Sequence, residues 1–352
     1  MHSDTTAALT IDYRGHADSV RLATWMPRFH VDTTFDRVDD GWRLRLDLPS
    51  TARIEYRIDI ERDGRYESIL DPMNPQIATN PFGRNSVLAG PDYALPEWIA
   101  RTPAHPGSLA ELRVMSRILG GRRSIQLYRP FGLLDDVEAP LLIVFDGSDY
   151  AEHADLIRCF DVLIADGEVP PFRAVLSDPR KRHDEYIGSS SHASCILSEV
   201  IPHVRRRVAV RGLATMGASL GGVAAWTTAA EDPGDVLGVV MHSGTLVRSD
   251  HTELDDRMIA SISDFVDQAL EDPLPSTLAV FQSCGRYESL IDWNREVSSE
   301  LGSGRARYRY VETWTGHDWG AWRDQIAPGL RLVLGSTTAQ VPGFESALAE
   351  PT

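Results

Sequence analysis

The residues with the clearest capacity for chemistry lie in the segment Gly217-Ala218-Ser219-Leu220-Gly221-Gly222. An apolar, strand-like segment (213–217) precedes the serine, and a helix-like segment (220–230) follows it. A serine in a G-x-S-x-G pattern between a strand and a helix is typical of a nucleophile elbow, a tight turn that needs small residues on both sides. The pattern therefore predicts Ser219 as a nucleophile. The alternative is a glycine-rich turn in which Ser219 only caps the helix.

Attack of a serine on an ester creates a negatively charged oxygen, which backbone N–H groups can stabilise. The N–H of Leu220, at the predicted start of the helix, is placed for this role. In proteins with such an elbow, a second donor comes from the loop after an earlier strand. Here that loop follows the apolar strand 141–145, and both Gly147 and Ser148 are candidates. A plain turn is the alternative for this loop.

A nucleophilic serine also needs a base, and the chain has 11 histidines. The elbow is usually accompanied by the chain order serine, acid, histidine, with the histidine in a loop after a late strand. His317 fits this order, because it follows the predicted strand 307–311 and precedes the predicted helix 321–334. Its alternative is a histidine that bonds only within its own loop. We expect His242, after an earlier strand, to line the site or to pack beneath it.

The acid that orients the histidine is expected after the predicted strand 278–283. Glu288 is placed for this role, and Asp292 lies one helical turn further on. Either carboxylate could instead be an ordinary surface group, which leaves a serine–histidine dyad as the third possibility. The sequence therefore favours Glu288 and leaves Asp292 open.

One dense basic run, Arg180-Lys181-Arg182-His183, follows the predicted strand 173–176. In a chain with a net charge of −16, such a cluster could face an anionic substrate. A solvated surface is the equal alternative.

The elements before about residue 72 have a period of two. Apolar and charged residues alternate along 42–48 and again along 54–61. Such alternation predicts half-buried antiparallel strands, and several of them in a short segment suit a small β-sandwich. Residues 71–108 are rich in proline and lack a period, so they are predicted to form an extended connector. We expect a first domain over 1–108.

The rest of the chain, 109–352, alternates between strand-like and helix-like segments. Its strands are continuous apolar runs, which indicates a mostly parallel sheet covered by helices on both faces. One of the helices is predicted around Asp255 to Ala269. This α/β half contains every candidate catalytic residue.

Composition limits the function classes. The chain has 352 residues, of which 42% are hydrophobic and 24% charged, as in an ordinary globular protein. Its negative charge disfavours binding to nucleic acid or to an anionic membrane. The three cysteines lack a CxxC spacing, so neither a disulfide framework nor a zinc site is expected. Without an apolar leader or an 18-residue apolar stretch, we expect a cytoplasmic protein.

Together these motifs resemble the enterochelin (ferric enterobactin) esterase family, within the esterase D group of α/β-hydrolases. The likeness extends over most of the chain. Besides the elbow, it rests on short motifs that occur in the family's order: Asp71-Pro72-Met73-Asn74-Pro75, Asp146-Gly147, Arg182 with Glu185, Ser243-Gly244, Gly285-Arg286-Tyr287-Glu288 and Gly316-His317-Asp318-Trp319.

The resemblance implies an immunoglobulin-like domain followed by an α/β-hydrolase domain. It implies cytoplasmic hydrolysis of the serine esters in a trilactone catecholate siderophore, by which iron is released after uptake. Ser219 would be the nucleophile, His317 the base, Glu288 the acid and Arg182 a substrate-binding residue. Trp319 is a further candidate for stacking on aromatic rings, with burial in the core as its alternative. This chemistry needs no cofactor or metal, since the iron belongs to the substrate.

Two other functions remain open. One is an enzyme of the same fold with another acyl group, such as a feruloyl or carbohydrate esterase or an acyltransferase. The other is a siderophore- or glycan-binding protein whose catalytic residues are vestigial. The intact serine, histidine and elbow glycines favour an enzyme, because a binding protein has no need of a strained nucleophile. The sequence leaves the oligomeric state open.

Overall fold

The computed structural model describes residues 5–251 and 257–335. The chain divides into two compact units. We call the first the N-terminal unit, which comprises Met1–Pro96, Cys284–Ile291 and Glu312–Ala321. We call the second the α/β unit, which comprises Glu97–Ser283, Asp292–Val311 and Trp322–Thr352. The first segment of the N-terminal unit ends at Pro96, before the predicted domain boundary near residue 108. The unit also includes two segments from later in the chain.

In the described part of its first segment, residues 5–96, the N-terminal unit has eight strands, all paired antiparallel. They are β1 (Thr6–Tyr13), β2 (Ser19–Ala23), β3 (Asp36–Val38), β4 (Gly41–Pro49), β5 (Arg53–Arg62), β6 (Arg65–Ile69), β7 (Ile77–Asn80) and β8 (Gly83–Ala89). One sheet has the order β1-β4-β3, and the other has the order β2-β5-β8-β7, with β6 paired to β5. Apolar side chains of both sheets, such as Leu46 and Ile58, share one core.

The period of two holds along most of these strands. In β4 the buried positions alternate with more exposed ones, as the sequence predicts. At the start of β5 the alternation fails, because Arg53 and Glu55 are buried together with their apolar neighbours. Two charged side chains are therefore buried at positions that a period of two predicts to be exposed to solvent.

The proline-rich stretch predicted as a connector contains the hairpin of β7 and β8. Pro72 and Pro75 precede β7, and Pro81 lies in the turn, so none of them interrupts a strand. The side chains of β7 alternate only between exposed and half-buried, which explains why hydrophobicity alone gives no strand signal there.

The α/β unit is built on an eight-stranded sheet. Its strands are β9 (Ser108–Ser116), β10 (Gly121–Arg129), β11 (Ala139–Phe145), β12 (Arg173–Ser177), β13 (Val210–Ala218), β14 (Val236–His242), β15 (Ala279–Gly285) and β16 (Tyr308–Thr313). The order is β16-β15-β14-β13-β11-β12-β10-β9. Neighbours from β12 through β11, β13 and β14 to β15 are parallel, whereas β9 and β10 join antiparallel. β11 is buried along its whole length, as expected for a sheet covered on both faces.

Helices follow most of these strands. They are α1 (Gly147–His153), α2 (Leu156–Ala165), α3 (Arg182–Glu185), α4 (Ser190–Cys195), α5 (Ile201–Arg205), α6 (Leu220–Glu231), α7 (Arg257–Glu271), α8 (Ile291–Leu301) and α9 (Trp319–Leu334). The predicted start of the α7 helix, at Asp255, lies outside the described residues. Within those residues, the helices are too short or too polar to cross a membrane.

Candidate active site

Ser219 occupies a sharp turn between β13 and α6. Its φ of 57° and ψ of −124° belong to a region that residues with side chains rarely adopt. Backbone hydrogen bonds hold this conformation: the N–H of Ser219 donates to the carbonyl of His242 at 2.9 Å, and the N–H of Gly222 donates to the carbonyl of Ser219 at 3.0 Å. The turn is therefore a strained elbow with the geometry that the motif predicts.

The two glycines flanking the serine are there for space. A Cβ on Gly217 would lie 2.1 Å from the carbonyl oxygen of Gly221. A Cβ on Gly221 would lie 2.9 Å from a carboxylate oxygen of Asp146. Leu220 is the first residue of α6, so its N–H is one of those without a partner inside the helix.

The loop after β11 contains the second pair of candidate donors. Asp146 has a left-handed φ of 54°, and Gly147 begins α1. A Cβ on Gly147 would lie 2.5 Å from the Cα of Leu176, so the backbone approaches β12 closely. The N–H of Ser148 donates to the carboxylate of Asp178 at 3.0 Å, which engages one of the two predicted donors. This hydrogen bond makes Gly147 the preferred candidate of the two.

Arg182 forms an ion pair beside the elbow. Its guanidinium donates to Asp146 at 2.8 and 3.1 Å and to the carbonyl of Ala218, the residue before the serine, at 3.3 Å. Burial raises the pKa of Asp146, and Arg182 opposes this rise only in part. Since 36% of the Arg182 side chain stays exposed, it can fix the loop and still contact a ligand.

Arg182 and Glu185 anchor α3 at both ends. Glu185 accepts two hydrogen bonds from Arg123, at 2.7 and 3.0 Å, and both groups are buried. Lys181 and His183, from the same basic run, are exposed. The run is therefore partly a solvated face and partly an ion-pair anchor.

His242 lies beneath the elbow. It is completely buried, and its Nδ1 lies 2.7 Å from the hydroxyl of Tyr150. Burial lowers the pKa of His242 to about 3, so the ring stays neutral. A completely buried ring does not suit a residue that lines the site and binds substrate, so of the two alternatives for His242 the structure favours packing beneath the elbow.

Glu288 and His317 form a close pair in the N-terminal unit. The Nδ1 of His317 lies 2.6 Å from an Oε of Glu288, and the other Oε accepts the N–H of Gly285 at 2.7 Å. The carboxylate is buried, whereas 32% of the histidine side chain is exposed. A carboxylate at Nδ1 favours the tautomer in which Nε2 is free of its proton and can act as a base.

Asp292, the other candidate acid, has different surroundings. It lies in α8 of the α/β unit, is exposed, and is 3.4 Å from Arg295. Of the two acids that the sequence leaves open, Glu288 is therefore the one that meets His317.

Trp319 begins α9 and is only 8% exposed. This low exposure favours the alternative for Trp319, burial in the protein, over stacking of its ring on a substrate.

Comparison with known proteins identifies the family. The Esterase family model matches residues 116–333, from the end of β9 to near the end of α9. The chain belongs to the esterase family. It is a carboxylic ester hydrolase, as the elbow predicts. Among curated proteins, no sequence relative matches.

Solved structures extend the similarity of this esterase beyond the family model. The ferric enterobactin esterase of Salmonella typhimurium superposes with a TM-score of 0.79 at 21% identity, over 94% of each chain. The enterobactin esterase of Shigella flexneri, crystallised in the presence of enterobactin, does so with a TM-score of 0.75 at 20% identity, also over 94% of each chain. A feruloyl esterase module of Clostridium thermocellum, in complex with sinapinate, has a TM-score of 0.53 at 14% identity and covers 70% of this chain. These similarities establish an α/β-hydrolase-like fold.

Sequence reasoning missed the partners of several of these residues in the esterase. Asp178 and Arg123, which bind Ser148 and Glu185, lie in stretches without a motif. A buried carboxylate needs a cation or several N–H donors, so the burial of Glu185 would have indicated a partner but not which one. That choice depends on the topology of the sheet.

One group in the described residues has metal-ligand types close together. The ligand atoms of Asp250, His251 and Glu296 lie within 4.8 Å of one another. Glu296 also lies near the guanidinium of Arg248, and Asp250 and His251 are exposed. None of these residues belongs to the elbow or to the Glu288–His317 pair.

Proposed function

We propose that this esterase hydrolyses the ester bonds of a trilactone catecholate siderophore of the enterobactin kind, so that iron can be released. The supporting observation is the extent of the structural similarity. The enterobactin esterases match 94% of this chain, including the N-terminal strands, whereas the feruloyl esterase module matches 70%. This chain and the enterobactin esterases share a β-rich N-terminal region in addition to the α/β region that the feruloyl esterase module matches. A shared class of substrate is the simplest explanation for this additional region.

In the proposed reaction, Oγ of Ser219 attacks the ester carbonyl while Nε2 of His317 takes its proton. Glu288 holds the imidazole in the required tautomer and stabilises the imidazolium. The N–H groups of Leu220 and Gly147 stabilise the oxyanion. His317 then protonates the leaving alkoxide. In the second half of the reaction, His317 takes a proton from water, which attacks the acyl-serine, and returns the proton to Oγ of Ser219.

The triad is proposed from chain order and local geometry. Ser219 has the strained elbow, His317 has a carboxylate on Nδ1 and an exposed edge, and the order serine, acid, histidine is the expected one. Arg182 is proposed to contact the anionic substrate with the exposed part of its guanidinium.

Two further elements belong to this proposal. The two antiparallel sheets of the N-terminal unit are proposed to be an immunoglobulin-like sandwich, supported by their common core. A cytoplasmic location is supported by the three cysteines, all within the described residues and none in a disulfide.

The second candidate function is hydrolysis of a feruloyl or carbohydrate ester. The similarity of the α/β unit to a feruloyl esterase module favours it. A vestigial binding protein, the third alternative, is disfavoured by the strained conformation of Ser219, because such strain costs about 1–3 kcal/mol and persists where a function needs it.

The test is chromatography with mass detection of ferric and iron-free enterobactin, each incubated with the wild type and with Ser219→Ala. Linear trimer, dimer and monomer that appear only with the wild type would support the proposal. Intact trilactones together with cleavage of methyl ferulate would favour the second candidate. Failure of a fluorophosphonate probe to label Ser219 would favour the binding protein.

A further inference from the structure

Arg53 is a buried cation in the first position of β5. Its residue exposure is 3%, and its guanidinium donates to Glu55 at 3.0 Å and to Asp318 at 2.7 Å. A buried charge is costly unless it is paired and hydrogen-bonded, so a guanidinium retained here needs a reason beyond packing. Its partner Asp318 directly follows the candidate base, His317.

The contacts of Arg53 lie on both sides of His317. The backbone N–H of Arg53 donates to the carbonyl of Trp314 at 2.9 Å, three residues before the histidine. On the other side, the Asp318 oxygen that accepts from Arg53 also accepts the N–H of Ala321 at 2.9 Å, in the first turn of α9. We call residues 314–318, which contain His317, the base loop. Arg53, from the N-terminal strands, thus contacts the base loop at its first and at its last residue.

Two glycines allow this loop to lie close to the N-terminal strands. A Cβ on Gly320 would lie 2.3 Å from the Cζ of Arg53, so the guanidinium lies flat against the start of α9. A Cβ on Gly316 would lie 2.7 Å from the Cγ of Met26. The base loop therefore has no room to shift toward these side chains.

The segment that contains Glu288, residues 285–288, which we call the acid loop, is held by contacts with other residues of the N-terminal unit. The N–H of Arg28 donates to the carbonyl of Tyr287 at 3.1 Å, and the ring of Phe29 meets the ring of Tyr287 edge-on with centroids 5.2 Å apart. Tyr287 is buried in the core of the N-terminal strands, next to Glu288 in sequence. The N-terminal unit therefore determines where both members of the Glu288–His317 pair lie.

Building on the triad of the proposed function, we propose that Arg53 is a positioning residue. Through Trp314 and Asp318 it holds the base loop so that His317 keeps its hydrogen bond to Glu288. The N-terminal sheets thereby serve as the scaffold of the acid–base pair. A purely structural ion pair would stabilise the unit without affecting the imidazole.

The test uses the full chain with Arg53→Met and Glu55→Gln together, because removing the cation alone would leave two unpaired carboxylates. Asp318→Asn is the second variant, since it weakens the ion pair and keeps an oxygen for the N–H of Ala321. The matched control is Arg43→Met, which breaks a more exposed pair with Asp12 between two other strands of the same unit. Thermal unfolding first establishes that each variant is folded.

The readouts are kcat and KM on a small p-nitrophenyl ester, the pH profile of kcat/KM, and the strongly deshielded proton NMR signal of the His317 N–H shared with Glu288. We expect kcat to fall about 10- to 100-fold with KM within about threefold, since a misplaced catalytic group costs rate rather than binding. We also expect the proton signal to be lost or shifted in both variants and unchanged in Arg43→Met.

A folded variant that keeps both the wild-type kcat and the proton signal overturns the proposal. The same conclusion follows if Arg43→Met lowers kcat as much as Arg53→Met with Glu55→Gln. The NMR signal requires no substrate, so it reports on the position of His317 even if Ser219→Ala retains activity and the proposed triad fails.

Discussion

The elbow at Ser219 and the pair formed by Glu288 and His317 differ in how far along the chain their supports lie. The elbow is held by glycines two residues away and by backbone bonds to the adjacent strand. The base loop is held by Arg53, which is 265 residues distant from Asp318 in sequence. The conformation of the candidate nucleophile is therefore encoded locally, whereas the orientation of the candidate base depends on residues far away in the sequence.

The largest loss of kcat is expected from removing the side chain of Ser219 or of His317. Ser219→Ala and His317→Ala should each lower kcat by roughly 10⁴- to 10⁶-fold on a p-nitrophenyl ester, because the nucleophile and its base act as one unit. The double variant should cost no more than the worse single variant. Losses that multiply would show that the two residues act independently.

Exchanging the acid separates the two carboxylates that the sequence leaves open. Glu288→Gln keeps the shape but cannot hold the imidazolium, so kcat should fall about 10²- to 10⁴-fold. Asp292→Asn is the control, and as an exposed residue 3.4 Å from Arg295 it should change kcat less than about twofold. Equal losses in steady-state kinetics would reject Glu288 as the acid.

Adding a methyl group to Gly217 tests whether the conformation of Ser219 depends on the small residues next to it in sequence. Gly217→Ala places a Cβ against the carbonyl of Gly221, so the turn must shift and kcat/KM should fall about 100-fold. Gly234→Ala is the control, because its Cβ would meet nothing closer than 3.8 Å. Retained activity in Gly217→Ala would contradict the steric requirement.

The smallest effect concerns the pH dependence of the N-terminal scaffold. Burial and the charge of Asp318 raise the pKa of Glu55 to about 7, although Arg53 and Asn85 oppose the shift. Between pH 4.5 and 7 the folded state thus binds more protons than the unfolded state, so Glu55 lowers stability as the pH rises through this window.

Glu55→Gln mimics the protonated side chain and should remove this dependence. The free energy of unfolding of the wild type relative to the variant should fall by about 1–3 kcal/mol between pH 5 and pH 8.5. Urea unfolding at the two pH values measures the difference. Parallel curves at both pH values would mean that Glu55 is ionised throughout.

Local patterns predicted most of the elements that position the site. The alternation in 42–48 gives β4, the apolar run in 141–145 gives β11, and the strand–serine–helix pattern gives the elbow. The hairpin of β7 and β8 was missed, because β7 has no buried side chain and two of the buried side chains of β8, Asn85 and Ser86, are polar. Hydrophobicity carries no information about such strands.

Contacts between distant residues were beyond the patterns. Glu288 and Asp292 follow the same strand, and only the approach of His317 distinguishes them. The ring of Trp319 could stack or be buried, and packing buries it. Arg53 and Glu55 look like ordinary polar positions of a strand until their partners are known.

The sequence by itself determined the α/β pattern, the candidate nucleophile and the order of the candidate catalytic residues, because periodicity and small residues at an elbow act over a few positions. Only the tertiary structure decided which acid meets the histidine, which N–H of the loop after β11 is the preferred candidate donor, and which arginine of the N-terminal strands is proposed to position the candidate base. The physical reason is that buried charges need partners, and the fold alone brings those partners together from opposite ends of the chain.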